Sequence, residues 1–198
     1  MTITYELGNS LYINITNRCS NDCEFCVRNI ADNVNGKDNL WLEQEPTVEE
    51  IIEDIKTRNL TKYDEVVFCG FGEPMMRWED VLEVADWLKR NHPSTVVRLN
   101  TNGHGNLIAN HDITPELAGK IDIVSISLNA KSAIEYDKVC KSEYGENAYD
   151  ALLEFAKLAS KYARVILTVV DDMNVNDINA CQKIAENLNV EFRVREII

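Results

Sequence analysis

The sequence predicts an α/β protein, a single domain over residues 1–198, built as an open partial (β/α)6 barrel around a parallel six-stranded sheet. Three observations predict it. Short β-branched runs alternate with longer amphipathic stretches along the whole chain. No turn-flanked pair of runs reads as a hairpin, so the strands should be parallel and joined by helical crossovers. At about 31 residues per β/α unit the chain has room for about six units, short of the eight of a closed barrel.

Taken in order, Leu11 to Thr16 (LYINIT) is the first strand and runs into a cysteine-bearing loop. Residues 29–46 are rich in Asn, Asp and Gly and form a long loop. Whether it closes as a lid, with Trp41 lining it, the sequence leaves open. Thr47 with Glu50 three residues on is a capping box that starts a helix through Leu60. Then follow a strand at 64–70 (DEVVFCG), a helix from Trp78 to Asn91, a strand at 95–103 (TVVRLNTNG) and a short helix near Pro115 to Lys120. The remainder reads as a strand at 121–129, a helix from Glu146 to Tyr162, a strand at 163–170, a helix from Asn176 to Leu188 and a strand at 190–197. In parallel β/α architectures the chemistry gathers at the C-terminal strand ends. Here the cysteines, CGFGEP, NTNG and SLNA follow or close four successive strands, so the unusual residues share one rim.

The hydrophobic fraction is 45%, and no apolar run approaches the roughly 18 residues of a membrane span. No basic start and cleavage site opens the chain, so a cytoplasmic protein without a membrane partner is expected. A net charge of −13 repels a phosphate backbone and gives nucleic acid no support as a partner. The six cysteines are crowded at one end and scattered afterwards, which suits a reducing compartment and a metal or cluster site better than a disulfide framework.

The stretch CSNDCEFC carries Cys19, Cys23 and Cys26 as C-x3-C-x2-C. A closed zinc site takes four ligands and a disulfide two. An iron–sulfur cube held by three thiolates keeps one iron open to a further ligand. No His or Cys between residues 27 and 68 supplies a local fourth ligand. A zinc site completed by distant Cys69 is the alternative.

CSNDCEFC resembles the signature of the radical SAM superfamily, whose members bind a [4Fe-4S] cluster at this spacing and chelate S-adenosylmethionine (SAM, S-adenosyl-L-methionine) on its unique iron. GFGEP is similar to the family's segment at the methionine end of SAM, and SLNA to its strand-end segment for the carboxylate and ribose. Taken with YDEVVFCGFGEP, RLNTNG, VSISLNA and FRVR, the chain looks like the short radical SAM proteins associated with TatD-type nucleases. The resemblance implies that Cys19, Cys23 and Cys26 hold the cluster. It implies cofactor contacts from Phe25, Gly70, Gly72, Glu73, Pro74, Asn100, Asn102, Ser127, Asn129 and Asn176.

The residue types suit those roles. Gly70 and Gly72 let the chain approach a ligand without a Cβ, and Pro74 fixes the turn that aims Glu73 at an amino group. Ser127 and Asn129, two apart, are expected on one face of a strand. Arg193 and Arg195 alternate onto one face and, with Arg98 and Arg28, are candidates to bind a carboxylate or phosphate of the substrate. Cys140 between lysines in KVCKSEYG is a candidate reactive thiol. Cys69 is either a hydrogen donor or core, and Cys181 reads as buried. His104 and His111 sit in polar turns and are expected to carry no chemistry.

The expected function is reductive cleavage of SAM to a 5′-deoxyadenosyl radical that abstracts hydrogen from a substrate, with electrons from a flavodoxin- or ferredoxin-type donor of low potential. The alternatives are a tRNA-base or deazapurine-type modification enzyme, and a non-catalytic metal-binding partner of a nuclease.

Overall fold

The computed structural model describes residues 1–196, so Ile197, the last residue of the strand expected at 190–197, lies outside the described residues. The sheet has seven strands in the spatial order of the chain: β1 Thr4–Leu7, β2 Ser10–Ile13, β3 Glu65–Phe68, β4 Val97–Thr101, β5 Ile123–Ser127, β6 Arg164–Val170 and β7 Glu191–Arg195. From β2 to β7 every neighbouring pair is parallel, and each crossover carries the chain one place onward, as in an open barrel. The expected six strands are β2 to β7.

The seventh, β1, corrects the expectation that no hairpin is present. It pairs antiparallel with β2, with Leu7 opposite Ser10 and only Gly8 and Asn9 between them. Gly8 takes φ +58°, which a glycine at the first turn position adopts without strain. Four-residue TYEL is too short to show a strand period, and Gly-Asn is the only local sign of the hairpin.

The helices are α1 Val48–Lys56, α2 Trp78–Asn91, α3 Gly105–Ala109, α4 Ala133–Cys140, α5 Asn147–Ala159 and α6 Val175–Leu188. The capping box of α1 is formed: Thr47 Oγ1 accepts from Glu50 N and the Glu50 carboxylate accepts from Thr47 N. The helix stops at Lys56, and residues up to Leu60 pass into a separate 3-10 turn capped by Asn59. Pro115 opens a 3-10 turn, Thr114–Leu117, where a short helix was expected. The last helix is capped by Asn174, which puts Asn176 inside its first turn. Helices α3 and α4 were not expected. Both are short, and α4 (AIEYDKVC) has little amphipathic contrast from which to read a period.

The helices pack on one face of the sheet. Leu11, Ile13, Val66, Phe68, Leu99, Val124, Ile126, Leu167 and Val169 meet α1, α2, α5 and α6 in one continuous core. Alternation turns Tyr12, Val67, Arg98, Asn100, Ser125, Ser127, Thr168, Arg193 and Arg195 to the inner face. Its hairpin end is covered by the long loop. There Tyr5, Leu40 and Phe71 form a second buried cluster against Tyr12, Val27 and Val34. The loop is anchored by Asn14 Nδ2 donating to Leu40 O (2.8 Å) and Asn17 Nδ2 donating to Leu42 O (2.8 Å). Trp41 packs edge-on against Phe71 with ring centroids 5.1 Å apart.

Because Leu40 is fully buried in a small cluster, Leu40→Ala should cost about 2–5 kcal/mol of local stability. Limited proteolysis under native conditions should then cut within residues 30–46 faster than in the parent chain. Unchanged protection of that loop would show that it is held elsewhere.

Candidate functional site

The three cysteines follow β2, and their loop is gripped from two sides. On one side Asp22 N donates to Cys140 O (3.0 Å), Glu24 N to Val139 O (3.0 Å), and Glu143 N to Ser20 O (2.9 Å). The first two acceptors are terminal carbonyls of α4, which lack intrahelical partners. On the other side Glu73 N donates to Arg18 O at 2.8 Å. A Cβ on Gly72 would lie 2.3 Å from Thr16 O and 2.5 Å from Arg18 O, and one on Gly70 would lie 2.0 Å from Asn14 Oδ1. The glycines therefore let GFGEP lie directly against the chain leading into the cysteine loop.

Glu73 is the centre of this arrangement. It is 4% exposed, and its carboxylate accepts from Met75 N (3.0 Å), Thr101 Oγ1 (2.7 Å) and Asn102 N (2.7 Å). The first bond caps the 3-10 turn Pro74–Arg77, whose φ Pro74 presets. Among the described residues no cation lies within 4 Å of it. Burial pushes its pKa up against the pull of these three bonds.

Asn102 uses its side chain within the protein: Nδ2 donates to Ser20 Oγ (2.8 Å), and Oδ1 accepts from His104 N (3.1 Å). Ser20 Oγ also meets His104 Nδ1 at 3.0 Å. The far side of His104 meets the Tyr136 hydroxyl, which accepts from Asn21 Nδ2 at 2.9 Å. Glu73, Asn102, Ser20, His104, Tyr136 and Asn21 thus form one buried relay that begins and ends beside the cysteines. His104, read from the sequence as sitting in a polar turn, is fully buried. Burial pushes its pKa down to about 4, with the Ala148 backbone opposing. The polar sequence around His104 gave no sign of this, since α4 and α5 come from elsewhere in the chain to cover it.

Burial pushes the Cys19 thiol up to about 12, with the Glu73 charge adding to the rise. Cys23 is raised first by its hydrogen bond to the Cys140 sulfur and then by burial, and Cys26 by burial. Arg28 folds back over the loop, 3.5 Å from Asp22, and partly offsets these rises. Cys140 is not the exposed, lysine-activated thiol expected. It lies one turn after Tyr136 on the buried side of α4, while Lys138 faces out and Lys141 pairs with Glu24 at 3.1 Å. Among the described residues no three His, Cys, Asp or Glu side chains, the loop cysteines included, are already grouped to grip a single ion. Burial pushes the Cys69 thiol up, and the neighbouring Asn100 side chain on the inner face opposes that rise.

Ser127 ends β5 half-buried, but Asn129 lies beyond the strand at φ +55°, so the two do not share a strand face. Asn129 is buried, its Nδ2 is 3.9 Å from Cys140 Sγ, and its Oδ1 has no partner. The Oδ1 of Asn100 is likewise buried without a partner. Phe25 packs on the main core from the loop, and Asn176 is exposed on α6. Arg98 is tied to Glu65 at 2.9 Å, toward the opposite end of the strands from the cysteines.

Two outcomes follow from the relay. A histidine with pKa near 6.5 unfolded and about 4 folded takes up a proton on unfolding between those pH values, so stability is lost as pH falls through that window. The full loss is roughly 3 kcal/mol. Urea denaturation at pH 4.5, 5.5 and 6.5 should show a flatter profile for His104→Gln than for the parent; parallel profiles would contradict it. Gly72→Ala should destabilise the chain by on the order of 2–4 kcal/mol, because its neighbours are backbone carbonyls that cannot move aside, and thermal melting reads this directly.

The profile of the radical SAM superfamily matches residues 13–183, a span that contains the whole relay, the three cysteines and GFGEP. A search of curated proteins finds no match. Among solved structures the fold is similar to one described as TYW1 with a lysine-pyruvate adduct bound, with TM-score 0.63 at 17% identity, over 96% of this chain and 65% of that one. The chain thus spans less than two thirds of that protein, and the likeness is one of fold. With the profile covering most of its length and the cysteine loop standing at the C-terminal rim of a partial barrel, this chain belongs to the radical SAM superfamily of enzymes.

Proposed function

We propose that the rim binds a [4Fe-4S] cluster on Cys19, Cys23 and Cys26 with SAM beside it, and that the enzyme cleaves SAM to abstract hydrogen from a substrate. The observation that carries this reading is the buried carboxylate of Glu73, unaccompanied by any cation among the described residues, beside a loop of three thiols. A carboxylate offers about four acceptor sites, and three are filled, so about one is left for an ammonium donor. The orphaned Oδ1 atoms of Asn129 and Asn100 are two further acceptors on the same side. These groups fit a ligand that is cationic at one end and rich in donors.

Bound there, the cluster supplies the electron that splits SAM into methionine and a 5′-deoxyadenosyl radical. The chain's own residues prepare the site. The loop thiols, held neutral by burial, release their protons when they ligate, so loading is coupled to proton release. In this reading Glu73 orients the amino end, and Ser127 and Asn129 contact the carboxylate and ribose. Buried Phe71, with Trp41 packed edge-on against it, covers one flank of the inner face. A low-potential flavodoxin- or ferredoxin-type protein is the proposed donor of the electron.

The test is anaerobic reconstitution with iron and sulfide, dithionite reduction with SAM, and mass detection of 5′-deoxyadenosine. The parent chain should bind roughly four irons and form the product. Cys19→Ala, Cys23→Ala and Cys26→Ala should each abolish it, and Glu73→Gln should raise the Kd for SAM by about tenfold. Full product formation by Cys23→Ala would sink the reading.

A further inference from the structure

The chain has nine arginines, and seven of them use their guanidinium groups within the protein. Arg18, Arg28, Arg77, Arg90, Arg98 and Arg164 pair with carboxylates, and Arg58 donates to Thr4. The two left over, Arg193 and Arg195, stand together on β7. Among the described residues neither has a carboxylate within 4 Å or a side-chain hydrogen bond.

Four arginines alternate onto the inner face of the sheet, and they differ by height. Toward the N-terminal strand ends, Arg98 meets Glu65 at 2.9 Å, and Arg164 holds Glu191 through two bonds of 2.5 and 2.6 Å. That end is neutralised. Toward the cysteine rim, Arg193 lies opposite Thr168, which lies opposite Ser127, and Arg195 lies opposite Val170 one layer higher. The unpaired cations are therefore level with the Ser127–Asn129 segment. Arg195 is half-buried, and the groups that face it are Cys69 and Cys23 across the inner face, Arg193 on its own strand and Asp171 at the end of β6. Burial and the like charge of Arg193 disfavour its charged form, and Cys69, Cys23 and Asp171 only partly offset them. Among the described residues, a chain of net charge −13 thus leaves this pair without a carboxylate within 4 Å at the reactive end. An incoming anion would supply what the fold withholds.

We propose that Arg193 and Arg195 form an oxyanion site that captures a carboxylate or phosphate of the substrate on the inner face beside SAM. Calling that ligand a substrate rests on the proposed function; the anion site itself does not. The other source of the same chemistry is the carboxylate of SAM, and the test separates them.

Reconstituted protein saturated with SAM is titrated calorimetrically at low ionic strength with inorganic phosphate and, in parallel, with malonate. The variants are Arg193→Gln, Arg195→Gln, their double, and Arg164→Gln as a control from the neutralised end. Cluster content and circular dichroism confirm that each is folded. The expected result is one saturable anion site, weakened about tenfold by each single substitution and lost in the double. Arg164→Gln should leave it within about twofold, and SAM affinity should be unchanged throughout. Absence of saturable binding by the parent for both anions, or equal binding by the double variant, overturns the proposal. So does a tenfold loss of SAM affinity in Arg195→Gln together with competition between phosphate and SAM, since the cations would then serve SAM. Anion binding without 5′-deoxyadenosine formation would instead retire the proposed function and leave the site standing.

Discussion

Glu73 is removed from water with no basic partner within 4 Å among the described residues, so three hydrogen bonds must hold its charge in place. An ionised carboxylate in that position is costly unless it is fully bonded, and its partners come from its own turn and from two consecutive residues at the end of β4. Met75 fixes the turn after β3, Thr101 the end of β4, and Asn102 the segment that reaches Ser20 in the cysteine loop. Shifting any one of these elements would leave the carboxylate short of a donor. The same atoms that keep the charge tolerable thus set the separation between the loop of thiols and the ends of two strands.

The second support is a helix terminus. The last carbonyls of α4 need donors, the cysteine loop has free N–H groups, and the two satisfy each other. This places Cys140 with its sulfur against Cys23 and puts Tyr136 under His104. A loop carrying three thiols has little apolar surface with which to order itself. Its shape is imposed by the carbonyls of α4 on one side and by the glycine-lined segment on the other.

The parallel strands and four of the helices were legible because each has a period of its own: VVF, ILTVV and the run from Trp78 to Asn91 need no distant partner to be read. The cysteine spacing and GFGEP were legible for the same reason, as local patterns. What escaped was whatever depends on a partner far along the chain. α4 has little periodic contrast and gains its meaning from contact with residues 20–24; Cys140 looked activated because Lys138 and Lys141 are near in sequence, although the helix sends them elsewhere. His104 looked idle because its burial is supplied by segments more than thirty residues later. The glycines were read as room for a ligand, whereas their missing Cβ atoms make room for the chain itself. Asn129 lost its place in the strand alternation to a left-handed backbone.

Among the described residues β7, which carries Arg193 and Arg195, is hydrogen-bonded to β6 on one side and to no strand on the other. A closed barrel would wall this position off and admit only what fits inside. Given the proposed anion site, the cationic wall is also an edge of the described sheet, and a molecule could present its anionic end to Arg193 and Arg195 from that side. Under that proposal, selection at this flank would act on the charge of the portion of the molecule that reaches β7.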